Sequence, residues 1–496
     1  SCLGYGRGQH PEQPEFMYRR DVDYCSGAFL LFPRQLFEQL GGFDLDYAPA
    51  YYEESDFCVR LQKQGYRIIY EPESVIVHYE FASSGGFEGA SKLQIAHREV
   101  IRQKHGDYLA EKYPSKENYI LSARTARKRR RVLVIDDRVP HVELGAGYPR
   151  CRHIMQELAL LDCDITFYPL RTSYDEWEDT YRTLPKTIEV MLYLGKDQLE
   201  EFLESRKDFY DDILISRSHN MDLFSTIAHR KPRLVGHSRI IYDAEAVTAK
   251  RDVMQMHLSG KKISSERERE LIQNEIALAK CASTIICVSE SEADLYRSSG
   301  FKDVVVLGHQ VEIAAGSKSF NERIDFLFVG ALRDDNSPNV DSILWFEREI
   351  VPELERLCHA EFSVLVVGDN TAPALRKITN KRIRFLGKQK DISALYLRSR
   401  VFIAPTRFAA GIPHKVHESA AYGVPVVCTS LLASQLGWHD KQELLVADTP
   451  EDFANQCAQL YEDKLLWETI QKKALEAVAR DCSNATFREQ IRRLFD

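Results

Sequence analysis

Apolar residues in this chain fall into short β-branched runs separated by longer amphipathic stretches, and from residue 131 onward that rhythm repeats to the end. Runs at 132–135, 164–168, 212–216, 233–235, 284–288 and 304–307 predict one parallel sheet, because strands alternating with helices build βαβ units. A second series at 326–329, 363–367, 383–386, 401–404, 424–428 and 444–447 predicts another. The expected fold class is α/β, with two doubly wound, Rossmann-like lobes. Sheets of this kind bind ligands at the carboxyl ends of their strands, so a cleft between two such sets of ends is the expected active site. Residues 485–496 have a helical pattern.

The first 120 residues are patterned differently. A strand at 24–32, a helix at 34–40, the turn Gly41-Gly42, a helix at 55–64 and a strand at 67–70 are too few elements for a complete nucleotide-binding sheet. Between this segment and residue 131, Arg124, Arg127, Lys128, Arg129, Arg130 and Arg131 crowd together, which predicts a solvated linker; the alternative is a basic patch for anionic lipid.

Composition narrows the function. With 44% hydrophobic and 28% charged residues among 496, the chain has material for two or three cores. A formal net charge of −8 argues against a nucleic-acid partner. Eleven cysteines without a C-x-x-C pair indicate neither a disulfide framework nor a zinc knuckle, and fit a reducing cytoplasm. No apolar run reaches the roughly 20 residues of a spanning helix. The start at Ser1, without methionine, predicts a natural N-terminus further upstream.

The stretch from Pro405 to Val427 carries the most chemistry. It leaves a strand, turns through Gly411-Ile412-Pro413 and enters a helix bearing Lys415 and Glu418. A helix start after a glycine turn offers free N–H groups and a positive dipole end, which suits a diphosphate. Lys415 adds a point charge, and Glu418, one turn on, can accept bonds from ribose hydroxyls. A plain i, i+3 helix pair is the alternative for these two, and His414 and His417 read as packing residues.

These residues resemble retaining glycosyltransferases of family 4, of GT-B fold, which carry a Gly-x-x-x-Lys-x-x-Glu-Ala segment here. The resemblance spans residues 131–496. It makes Gly330, Arg407, Gly411, Ile412, Pro413, Lys415 and Glu418 the donor-binding set, with Lys415 and Glu418 also in the catalytic role. It makes Gly145, Gly147 and Asp243 the acceptor-side set; the glycine pair alone would equally serve a tight turn. The family's motif is Glu, seven residues, Glu; here the second is Glu418 and the first falls on Ala410, which puts donor identity in question. No cofactor is expected for this module.

The front segment resembles the acceptor-side half of family 2 inverting glycosyltransferases of GT-A fold, through Ser26-Gly27-Ala28, Gly41-Gly42-Phe43-Asp44 and Glu53-Glu54-Ser55-Asp56. The resemblance makes Glu54 a general base, were the domain complete, and His78 a weak metal-site candidate; a complete module would take Mg or Mn. Asp21-Val22-Asp23 lies where that family does not place its metal motif. The expected domains are 1–122, a partial GT-A unit; 123–130, the basic linker; 131–318, the acceptor-side lobe; 319–484, the nucleotide-sugar lobe; and 485–496, a closing helix.

The function implied is a hexosyltransferase of bacterial surface-polysaccharide synthesis, of O-antigen or capsule-like type. It would move sugar from a nucleotide-diphosphate donor to a glycan or lipid-linked glycan, with retention, in the cytoplasm or peripherally at the inner membrane face. A GT-B-shaped nucleotide-sugar epimerase and a non-catalytic glycan-binding scaffold are the alternatives.

Overall fold

The computed structural model describes residues 6, 8–78, 87–116, 119–124, 129–145, 147–172 and 175–495. Arg127, Lys128 and Ala146 therefore lie outside the described residues.

Fifteen strands are present among them: β1 Arg20–Asp21, β2 Ile69–Tyr70, β3 Arg131–Asp136, β4 Asp164–Pro169, β5 Glu189–Val190, β6 Asp212–Ser216, β7 Arg239–Asp243, β8 Thr284–Cys287, β9 Val304–Val306, β10 Ile324–Val329, β11 Val364–Val367, β12 Ile383–Gly387, β13 Ser399–Ala404, β14 Val426–Cys428 and β15 Leu445–Val446. They form a two-stranded sheet β1-β2, a seven-stranded sheet in the order β5-β4-β3-β6-β7-β8-β9, and a six-stranded sheet in the order β12-β11-β10-β13-β14-β15. Every pair in the six-stranded sheet is parallel. So are β3–β4, β4–β5, β7–β8 and β8–β9. The chain forms two compact units, one of residues 1–139, 158–213 and 231–238, the other of 140–157, 214–230 and 239–496.

The six-stranded sheet is buried on both faces, which is why its strands are continuous apolar runs. Period two then sorts side chains between two cores. Phe326, Phe328, Val364 and Val366 enter one, with Trp345, Phe453 and Trp467; Leu327, Leu365 and Val367 enter the other, with Val416, Ala420 and Trp438.

One strand lies elsewhere than the sequence predicts. Residues 233–235 fall in a 3-10 turn, Pro232–Leu234, opened by the proline, and the strand begins at Arg239. Proline lacks the N–H that a ladder needs.

In the first unit, residues 24–32 do not form the predicted strand; among the described residues no strand runs beside them, and a ladder needs a neighbour. A small core of Phe57, Cys58, Leu61 and Ile68 forms instead, with Phe32 and Phe37 packed on it. Leu31 is 94% exposed and Val77 81%.

The basic stretch is not solvated where it is described. Arg124 reaches Glu15 and Glu189, Arg129 reaches Asp21, Asp162 and Asp164, and Arg130 reaches Asp212. Glu189 also pairs with Arg206 at 2.7 Å. Burial works against the charge on Glu189, but Arg206 and Arg124 outweigh it and hold the carboxyl down to about 2.

Candidate active site around Gly411

The site is built by two loops at the carboxyl ends of the neighbouring parallel strands β10 and β13. β10 ends before Gly330, and a side chain at Gly330 would collide with Asn339, 2.8 Å away. The helix Pro338–Trp345 follows, capped by Ser337, whose hydroxyl accepts from the Val340 N–H. β13 ends before Thr406, and the chain turns at Gly411, where φ is +78°, a conformation that favours glycine. The helix His414–Ala421 then begins. Its N-cap, Pro413, has no side-chain capping bond; within the turn the His414 N–H donates to the Ile412 carbonyl and the Val416 N–H to the Pro413 carbonyl, each at 2.9 Å.

Lys415 lies in the first turn of that helix. Its Nζ donates to Asn339 Oδ1 at 2.9 Å, stands 3.5 Å from Thr406 Oγ1 and lies 4.6 Å from the centre of the Phe328 ring. Among the described residues no carboxylate pairs with it. Burial therefore pushes the ammonium down to about 7. A cation held by neutral partners beside a helix start without a side-chain cap is poised to gain from an arriving anion, which would raise its pKa again.

Glu418, one turn on, accepts from Tyr396 Oη at 3.0 Å. Tyr396 is fully buried and stacked on Tyr422, with ring centres 4.8 Å apart, so the carboxylate is held by a rigid support. Arg407 is committed to Asp341, with Nε 3.0 Å from Oδ2. Its place is in the wall of the site. Ile412 and Pro413 are half-buried in the turn. His417 packs against Trp438 at 5.2 Å, and burial pushes its imidazole down to about 3, which leaves it neutral.

The acceptor-side residues divide. Gly145 has φ +69° and closes the 3-10 turn Val142–Leu144. Gly147 is needed for close approach: a Cβ there would stand 1.7 Å from Glu245 Oε1. Asp243 has no exposed surface and is gripped by Arg150, whose Nη1 lies 2.7 and 2.6 Å from its two oxygens. Arg150 also donates to the carbonyls of Leu307 and Gly308. Asp243 thus braces the end of β7, and Glu245 is the carboxylate that faces Gly147.

In the first unit, Glu54 is half-buried at the start of the helix Glu53–Lys63, and burial raises its carboxyl pKa, with Glu53 adding to the effect. His78 is exposed. Asp21 is tied to Arg67 at 2.7 Å and to Arg129 at 2.9 Å. Among the described residues no group of three His, Cys, Asp or Glu side chains is placed to hold a metal ion.

Asn339, Thr406, Tyr396 and Arg150 carry no signal of their own in the sequence. Asn339 sits in the Pro338-Asn339-Val340-Asp341 stretch that resembles a family loop, but its bond to Lys415 spans 76 residues.

The family model for glycosyl transferases group 1 matches residues 323–463. The front of the chain is similar to N-acetylglucosaminyl-diphospho-decaprenol L-rhamnosyltransferase of Mycobacterium tuberculosis, 39% identical over 79 residues, which are 16% of this chain and 25% of that protein. The chain thus spans about a quarter of the length of that relative. The structure is similar to Anabaena Alr3699/HepE, solved with UDP and glucose, at TM-score 0.55 and 15% identity, covering 74% of this chain and 99% of that one. It is also similar to S. aureus TarM, at TM-score 0.59 and 8% identity, covering 74% and 99%. These neighbours have the GT-B fold, and the two parallel sheets fit its Rossmann-like lobes. Around Gly411, Lys415 and Glu418, residues 323–463 thus match the model of glycosyl transferases group 1, in a chain whose fold is that of GT-B and whose front is similar to a rhamnosyltransferase.

Proposed function

We propose that the protein transfers a hexose from a uridine diphosphate sugar to a hydroxyl of a growing glycan, with retention at the anomeric carbon, in the making of a bacterial surface polysaccharide. The observation that carries this reading is Lys415, a cation that pairs with no carboxylate among the described residues, in the first turn of a helix without a side-chain cap, with Glu418 one turn further on a tyrosine support.

The diphosphate lies at the helix start, its charge met by the positive end of the helix dipole and by Lys415. Glu418 accepts from the ribose. The bond from the anomeric carbon to the diphosphate breaks as the acceptor oxygen bonds to that carbon on the same face and its proton passes to the leaving phosphate, whose growing negative charge the pre-set dipole and ammonium stabilise without reorganisation. Gly330 and Asn339 shape the wall on the side of β10. Arg407 acts through Asp341 by fixing the strand-end loop. The chemistry needs no metal at these residues.

UDP and glucose are taken from the name of the HepE structure, and a lipid-linked acceptor from the name of the mycobacterial relative. A lipid-linked acceptor would bring the protein to the inner face of the cytoplasmic membrane as a peripheral partner. Among the described residues no helix is long and apolar enough to cross a membrane.

The test is incubation with a panel of nucleotide sugars, with and without glycan acceptors. Nucleotide release that depends on acceptor is the expected result. Epimer formation without acceptor would replace transfer by epimerisation, and neither product would leave a glycan-binding scaffold.

A further inference from the structure

Glu292 is the third residue of the helix Glu290–Ser298 that follows β8. It is 3% exposed. Its Oε1 accepts from the Gly411 N–H at 2.9 Å and from the Val247 N–H at 3.3 Å, while Oε2 is buried without a hydrogen-bond partner among the described residues. All three residues belong to the second compact unit.

One carboxylate oxygen thus joins two backbones that the sequence places 164 residues apart, Val247 at the end of the acceptor-side turn and Gly411 at the donor-side turn. The two turns also touch. A Cβ at Gly411 would stand 3.3 Å from Ala246 Cβ and 3.4 Å from the Glu245 carbonyl oxygen. Glu245 in the same turn is the carboxylate that faces Gly147. Leaving one oxygen of this buried carboxylate orphaned carries a desolvation cost. Burial indeed pushes the carboxyl of Glu292 above its ordinary range, against the bonds from Gly411 and Val247 that favour its charge. The carboxylate also arrives beside Ala410, where the resemblance leads one to expect a glutamate.

We propose that Glu292 is a positioning residue for sugar transfer, holding the Gly411 turn in register with the 244–247 turn so that the donor and the acceptor hydroxyl meet at reacting distance. The inference rests on the transfer reaction proposed above. Displacing a bound reactant by about 1 Å can cost about a hundredfold in rate, so loss of this tie acts on turnover more than on donor binding. Water also gains access to a donor that no longer faces its acceptor. Transfer and donor hydrolysis therefore move in opposite directions.

The full chain and its Glu292→Ala, Glu292→Asp and Glu292→Gln variants are assayed for glycan-dependent UDP release and for UDP release without acceptor, with circular dichroism to verify folding. Glu292→Ala and Glu292→Asp, the latter one methylene short of the Gly411 N–H, lower kcat for transfer at least about tenfold, change KM for the nucleotide sugar less than about threefold, and raise the hydrolysed share. Glu292→Gln, whose amide oxygen still accepts from both N–H groups, recovers most of the lost turnover. Should the alanine variant fail to fold, the aspartate variant carries the test. Parent activity with an unaltered aspartate variant, or loss seen in KM alone, overturns the role of Glu292. A parent without acceptor-dependent release overturns the transfer reaction itself, and this role with it.

Discussion

The domain at 323–463 and the segment at 8–78 contain apolar runs of similar strength and fold them in different ways. In the first, Phe326, Leu327 and Phe328 are fully buried, because β11 and β13 pair with β10 on either side and helices cover both faces. In the second, Phe29 is 57% exposed and Leu31 94%, and the only ladder among the described residues is the two-residue pair β1–β2. The front segment is instead fastened within its unit by ion pairs, through Arg19–Glu71, Arg67–Asp21 and Arg129–Asp21. An apolar run becomes a strand when neighbouring strands take its N–H and carbonyl groups; hydrophobicity alone does not supply them.

The contrast is sharpest in the cores. Phe326→Ala should cost about 3–5 kcal/mol, read as a fall in the urea midpoint, since it opens a void among Phe362, Tyr461 and β13. Leu31→Ala should change the stability read from that midpoint by less than about 0.5 kcal/mol. Equal effects would erase the distinction between the regions.

The next largest effect separates them by chemistry. Lys415→Ala should lower acceptor-dependent nucleotide release by about 10²–10³-fold, the scale of losing one pre-set charge stabiliser, with circular dichroism unchanged. A smaller loss, about tenfold in KM for the nucleotide sugar, is expected for Glu418→Gln, which weakens one charge-assisted bond. Glu54→Gln, in the front segment, should leave release within about twofold; a large loss there would move the working site to that segment.

Much of the domain at 323–463 was legible because its strands are apolar on both faces and bounded by polar residues. The runs at 326–329, 383–386 and 401–404 fall inside β10, β12 and β13. The run at 233–235 misled, since a proline one residue earlier had already committed it to a turn. The strand at 24–32 misled for the opposite reason: its pattern is sound, and its partner strand is what the described residues lack. Lys415 and Glu418 could be singled out because strand end, glycine turn and helix start are consecutive in the chain. Asp243 could not be judged in the same way. The guanidinium that occupies it comes from Arg150, 93 residues earlier, and no local pattern tells a strand-end carboxylate facing a ligand from one facing a buried cation. Glu292 escaped notice on similar grounds, its partner Gly411 being 119 residues away.

The account depends on a diphosphate meeting Lys415, and the pH dependence of nucleotide binding tests that most directly. Burial places this ammonium near 7 in the free protein, so it is mostly charged at pH 6 and mostly neutral at pH 8.5, and a bound diphosphate draws a proton to it. Titration calorimetry of UDP should show affinity falling as pH rises across that interval, with proton uptake on binding near neutrality. Lys415→Arg, charged throughout, should bind with a flatter profile. UDP affinity that is level from pH 6 to 8.5 in the parent, or unchanged in Lys415→Ala, would contradict the claim that this lysine and the turn at Gly411 hold the donor.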